Sequence, residues 1–254
     1  MNIKVSGQKL IIGLILMILS SWTPAQEITR EAESYNNQAV ELTNAGKYDA
    51  AVELFNRALN IQPNFAAAYY NLGTNYYFLK EFEKAENAFR TAIKLRPNYP
   101  AAYNQLGQTL TEEARYDEAL DIFKTAIRQD PNNYVLHYNL GCLYARWQKF
   151  SAAIDSLETA RRLQPDGVKI LISLASVYMH EKQYRKATLF MQKVTVLDPQ
   201  NVQARCLLGN LYMLTKNKSA AWAEYEIIKP LNPQIAQKLY EIIQSDKLLI
   251  LSHQ

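Results

Sequence analysis

The chain is poor in the residues that do chemistry. Of 254 residues, three are histidine and two are cysteine. The histidines, His137, His180 and His253, share no metal-ligand spacing, and neither H-E-x-x-H nor C-x-x-C occurs. Two cysteines make no disulfide framework. Cys142 and Cys206 fall two repeat periods apart, beyond bridging distance in a stack, and are expected to be small half-buried packing residues. Glycine is also scarce, at eight residues, and none lies in a phosphate-binding loop. The net charge of +4 is small and the charged residues are mixed in sign, so no clustered basic footprint for nucleic acid is present. Only one long apolar run occurs, Leu10 to Leu19. No acid–base pair or activated nucleophile emerges, so neither an enzyme nor a cofactor is expected.

What the chain does have is a period. Proline recurs every 34 residues at Pro63, Pro97, Pro131, Pro165, Pro199 and Pro233. With each proline placed at position 32, six units follow: 32–65, 66–99, 100–133, 134–167, 168–201 and 202–235. Position 20 is alanine throughout (Ala51, Ala85, Ala119, Ala153, Ala187, Ala221) and position 8 is always glycine or alanine. Position 24 is large, from Phe55 to Tyr225, and position 17 is aromatic in five units. Positions 4, 7, 8 and 11 form one helical stripe and positions 20, 24 and 27 a second, with a polar break at 14–16. Each unit therefore predicts a first helix, a turn, and a second helix that stops before its proline. A glycine inside a helix needs a compensating close approach, and the position-20 alanine is the expected neighbour. One such unit cannot bury its apolar faces alone, so neighbours must stack.

Tyr69-x-x-Leu72-Gly73-x-x-Tyr76, Ala85-x-x-x-Phe89 and Pro97 together resemble the tetratricopeptide repeat, and Tyr103, Leu106, Gly107, Ala119, Phe123 and Pro131 repeat the match. The resemblance spans 32–235 and implies an all-α fold, a right-handed α-solenoid of helix-turn-helix units. Some positions depart from it. Gln38 replaces leucine at position 7 of the first unit, and His137 and Arg205 occupy the large apolar position 4. Lys218 replaces the aromatic at position 17, and Val194 and Ile228 replace alanine at position 27. Looser packing toward the C-terminus is the expectation.

The ends differ from the repeats. Lys4 and Lys9, the apolar run and Thr23-Pro24-Ala25 read as a signal peptide cleaved after Ala25, followed by a short lead at 26–31. Export, to the periplasm in a bacterium, is the expectation, with no membrane span in the mature chain; an uncleaved membrane anchor is the alternative. Residues 236–254 read as a capping helix and tail, with Leu239, Ile242 and Ile243 inward and Asp246 outward. The apolar tail Leu248–Leu251 is assigned neither a buried nor an exposed place.

The working surface is expected on the first helices, where positions 2, 6, 9 and 13 turn away from the core stripe and position 5 flanks one edge. In a stack these positions line the concave face, where solenoids bind. The candidate groove residues are Asn37, Tyr70, Asn71, Thr74, Tyr77, Asn104, Gln105, Gln108, Tyr138 and Asn139. Side-chain amides repeated at one level offer donor and acceptor to an extended peptide backbone. This resembles the asparagine ladder in the tetratricopeptide domains of O-linked N-acetylglucosamine transferases. The carboxylate clamp of chaperone-binding members is not matched, because its basic positions here hold Asn36, Val40, Ala101 and Gln105. The groove turns apolar at Ile172, Met179, Leu207, Met213 and Leu214, which suits a protein partner or a homodimer contact. The sequence therefore predicts a scaffold for a protein or peptide partner. A bracing subunit of a cell-envelope assembly is the alternative.

Overall fold

The computed structural model describes residues 24–245, all of whose regular structure is helical. Residues 1–23 of the expected signal peptide, Asp246 and the tail Leu248–Leu251 lie outside the described residues. Among the described residues thirteen helices follow one another: α1 (Pro24–Asn44), α2 (Tyr48–Ile61), α3 (Ala66–Phe78), α4 (Phe82–Leu95), α5 (Pro100–Glu112), α6 (Tyr116–Gln129), α7 (Tyr134–Arg146), α8 (Phe150–Leu163), α9 (Val168–His180), α10 (Tyr184–Leu197), α11 (Val202–Leu214), α12 (Lys218–Leu231) and α13 (Pro233–Ser245). The fold is an all-α helical-repeat solenoid. It divides into two compact units between Glu113 and Ala114, so that α1–α5 belong to one and α6–α13 to the other.

The period is written into the backbone. The second helices α2, α4, α8 and α10 end two residues before their proline, and Pro233 itself opens α13. Position 15 of every repeat is left-handed, at Gly46, Lys80, Ala114, Gln148, Lys182 and Lys216, with φ between 57° and 73°. At five of these sites the residue's own amide and the next one close the first helix by a Schellman pair. For example, Lys80 N–H donates to the Tyr77 carbonyl and Glu81 N–H to that of Tyr76. Only the first repeat uses glycine there, although a side chain in this region costs about 1 kcal/mol.

The core follows the predicted stripes and adds two positions to them. The position-20 alanines are buried in every repeat, as are the position-27 residues Ala58, Ala92, Ala126, Ala160, Val194 and Ile228. Position 3 (Ala68, Ala102, Leu136, Ile170, Ala204) and position 10 (Asn75, Thr109, Leu143, Val177, Leu211) are equally buried. In the N-terminal unit the polar members at position 10 close their own hydrogen bonds. Asn75 Nδ2 donates to the Asn71 carbonyl, and its Oδ1 accepts from Thr43 Oγ1 at 3.0 Å.

The glycine expectation needs a correction. The close neighbour of the position-8 glycine is the large residue at position 24 rather than the position-20 alanine. A Cβ on Gly73 would lie 2.8 Å from the Phe89 ring, and one on Gly141 would lie 2.6 Å from Leu157 Cγ. The glycine admits the big side chain of the second helix into the first. At Gly209 that role passes to Leu239 of α13, at 2.7 Å.

The polar departures at position 4 are also not loose packing. His137 Nε2 lies 2.9 Å from the Pro131 carbonyl, and Arg205 Nε donates to the Pro199 carbonyl at 2.7 Å. Each serves the carbonyl of the preceding repeat's proline, which no helix satisfies. Arg205 also pairs with Glu224 at 2.9 Å, both nearly buried. Residues 26–31 are part of α1. The helix α13 buries Ala236, Leu239, Ile242 and Ile243 against the end of the last repeat.

Candidate functional site

In the N-terminal unit the first helices α1, α3 and α5 lie side by side, α1 against α3 and α3 against α5. Their positions 5, 6 and 9 share one face, and three of the amides there, on α1 and α3, are joined to each other. Asn71 Nδ2 donates to Asn36 Oδ1 at 3.1 Å, and Asn36 Nδ2 donates to Asn37 Oδ1 at 3.3 Å. The row therefore runs from position 6 of repeat two, through position 5 of repeat one, to the exposed Asn37. Asn36 is the residue that sequence reasoning left out: it is buried, and it holds Asn71 in place. The signal for it was present, since position 5 adjoins position 6 and both are asparagine.

Aromatic rings flank this row. Tyr70 packs 5.2 Å from Tyr99 and 6.0 Å from Phe89, with the Arg96 guanidinium over the Tyr99 ring at 4.7 Å. Burial raises the Tyr70 phenol above its ordinary pKa, with an opposing hydrogen bond to Thr74, so it remains a neutral donor across the physiological range. Tyr77 stands edge-on to Phe78 and Phe82. Tyr70, Asn71, Thr74, Tyr77, Asn104, Gln105 and Gln108 are all half-buried, so each shows part of its side chain to solvent.

In the C-terminal unit Tyr138 and Asn139 lie on α7 and are half-buried. The relation of position 5 to the next repeat's position 6 recurs here, with Tyr138 hydrogen-bonded to Ser173 and Cys142. Burial raises the Tyr138 phenol and the Cys142 thiol, and burial likewise raises Cys206. Both cysteines are free and half-buried. Asn71 and Tyr138 are thus each tied to the adjacent repeat, through Asn36 and Ser173. Ile172, Met179, Leu207, Met213 and Leu214 are each half-buried on α9 and α11.

Outside that face, three of the five position-17 aromatics pair with the next repeat, while Phe82 stands edge-on to Tyr77 of its own repeat. Tyr48 stacks on Phe78 at 4.9 Å, Tyr116 on Trp147 at 5.7 Å and Phe150 on His180 at 5.1 Å. His180 is thus a stacking partner at a repeat junction. Among the described residues no group of three or more His, Cys, Asp or Glu side chains is placed to hold a metal ion. No described helix is long and apolar enough to cross a membrane.

Family models for the tetratricopeptide repeat match residues 39–79, 70–134 and 110–166. No curated protein matches the chain. Among solved structures, PilF of Pseudomonas aeruginosa is similar with a TM-score of 0.71 and 21% identity, over 87% of this chain and 100% of that one. PilW, a widely conserved type IV pilus biogenesis factor, has a TM-score of 0.74 and 22% identity, covering 82% of this chain and 98% of that one. YrrB, a tetratricopeptide protein with an unusual peptide-binding site, has a TM-score of 0.58 and 22% identity, over 75% and 99%. At these identities the likeness is one of fold. Residues 39–166 carry tetratricopeptide repeats, and the chain is a tetratricopeptide-repeat protein.

Proposed function

We propose that this chain is an exported scaffold that binds a segment of a protein partner along the first-helix face of its repeats. The observation that carries the reading is the amide row Asn71–Asn36–Asn37, held at 3.1 and 3.3 Å and flanked by half-exposed Tyr70, Thr74 and Tyr77. A row fixed by its own hydrogen bonds is pre-organised, so a peptide laid on it orders few protein groups on binding. The outermost amide, Asn37, keeps its nitrogen for a ligand: among the described residues it only accepts. Tyrosines with two side-chain torsions add contact area at low entropic cost. The peptide-binding site of the similar YrrB supports this mode.

Export rests on the pattern of residues 1–25, a positive flank, a short apolar run and a small residue at the exit. A second reading, an accessory subunit of a cell-envelope assembly, is favoured by the pilus role of PilW and by the half-buried apolar residues of α9 and α11. There the partner would meet the C-terminal repeats instead.

Affinity capture of the tagged protein from its native cells separates the two. The triple variant Asn37→Arg, Gln105→Arg, Gln108→Arg blocks the first-helix face, and Leu214→Asp breaks the apolar one. The groove reading expects the partner to be lost with the triple variant and kept with Leu214→Asp. The reverse result supports the assembly subunit. N-terminal sequencing of the purified protein tests export: it should begin at Gln26, and an intact Met1 would reject cleavage.

A further inference from the structure

The turns of repeats five and six border a broad surface depression of about 620 Å³ that is open to solvent. Its walls carry four cations, Lys182, Arg185, Lys186 and Lys216, with Tyr184 and Leu214 as its apolar side. All four cations are exposed. Among the described residues Lys182, Arg185 and Lys216 have no ion-pair partner, and Lys186 leans on the Tyr178 ring at 5.1 Å. Glu181 is the one acidic residue in the stretches 181–186 and 214–218.

Two features separate this pocket from ordinary solvated charge. The first is electrostatic. Lys182 and Lys216 follow the C-termini of α9 and α11, where cations are favoured. Arg185 and Lys186 lie in the first turn of α10, where the helix dipole disfavours them. The same turn of α2, α4 and α6 carries Asp49, Glu83 and Asp117. The second feature is steric. Tyr48, Tyr116 and Phe150 each stack on a ring from the next repeat, which closes the junction. Tyr184 holds the same position, but the next repeat offers Leu214 where Phe78 and His180 stand elsewhere, and Tyr184 has no ring partner among the described residues. The junction is open where the charge is unbalanced.

We infer that this pocket is a second binding site, for an acidic protein segment that sets carboxylates against Arg185, Lys186, Lys182 and Lys216 and an apolar side chain against Tyr184 and Leu214. Carboxylates at the α10 N-terminus supply the negative charge that α2, α4 and α6 carry in their own sequence. The pocket is wider than one small anion needs, and its apolar wall has no use for one. The site lies on the turn edge of the repeats and does not depend on the amide face.

The test is fluorescence anisotropy with the labelled peptide acetyl-Glu-Glu-Phe-Glu-Glu-amide and its Gln-for-Glu counterpart, against the full mature chain. Saturable binding of the acidic peptide is expected, none of the Gln peptide, and a fall in affinity of about tenfold or more for Arg185→Glu combined with Lys216→Glu. Lys124→Glu, an exposed charge on α6, should leave binding unchanged. Arg185→Glu alone should weaken binding and raise Tm by about 1–3 °C, because it restores the acidic first turn. Binding and stability moving in opposite directions cannot come from damage to the fold. Absence of saturable binding, equal loss in Lys124→Glu, or full displacement of the peptide by an equal concentration of inorganic phosphate would each overturn the proposal.

Discussion

The Arg205–Glu224 pair invites the sharpest perturbation. The two side chains meet at 2.9 Å and are only 12% and 11% exposed, so both charges have lost most of their water. Arg205 also holds the Pro199 carbonyl at 2.7 Å, at an exposed turn where water can take its place. Removing one partner of such a pair strands the other, which costs about 3–5 kcal/mol, whereas replacing both with well-packed apolar groups is often neutral or stabilising. The rest of the chain suggests which groups would pack. Positions 4 and 23 hold Arg205 and Glu224 in repeat six, but Leu171 and Phe190 in repeat five. Glu224→Phe alone and Arg205→Leu alone are therefore each expected to destabilise by about 3–5 kcal/mol. The double variant should return to within about 1 kcal/mol of the parent. In a repeat array the loss should be local to the last repeat. Hydrogen exchange of the α11, α12 and α13 amides, alongside urea unfolding, is the assay. The reasoning is refuted if either single variant costs under about 1 kcal/mol, or if the double variant loses as much as the two singles summed.

Three further outcomes follow from the geometry. Lys80→Gly and Gln148→Gly, both at left-handed positions, should each raise stability by about 0.5–1 kcal/mol in urea unfolding, while Gly46→Ala should lower it by a similar amount. Gly73→Ala should cost about 1–3 kcal/mol because its methyl would meet the Phe89 ring at 2.8 Å; Phe89→Leu in the same chain should recover part of that loss, and no loss in the single variant would refute the close-approach account. The Cys142 and Cys206 thiols are held neutral by burial, so alkylation of the folded protein should be slower than that of the urea-unfolded chain and should rise only as pH passes above the ordinary thiol range. The linked sign is that unfolded thiols ionise first. Folded stability therefore declines as pH rises above the unfolded thiol pKa, and the decline should disappear in the Cys142→Ser, Cys206→Ser variant.

How much of this was legible in the sequence depended on whether a residue's partner lay in its own repeat. The prolines, the position-20 alanines and the position-24 residues act within one helix pair, and their period alone placed the helices. Positions 3 and 10 escaped because they face the adjacent repeat, a direction that an amphipathic stripe in one helix does not encode. Asn75 is the extreme case: it is polar, yet fully buried, because Thr43 of the preceding repeat meets its carbonyl oxygen. The position-8 glycines were read correctly as a close approach but assigned to the wrong neighbour, since spacing does not say which side chain crosses the gap. His137 and Arg205 looked like defects in an apolar pattern. Their partners are backbone carbonyls at the prolines, and a carbonyl has no letter in the sequence. The candidate face was legible as a row of amides, but its internal bonding through Asn36 was not.

The account's central claim is that the first-helix face of the N-terminal repeats is what a partner touches. Hydrogen exchange on the purified complex, compared with the free protein, measures this directly. Amide protection should rise on α1, α3 and α5 and stay flat on α2 and α4. Protection confined to α2 and α4, or to the helices after Ala114, would contradict the account.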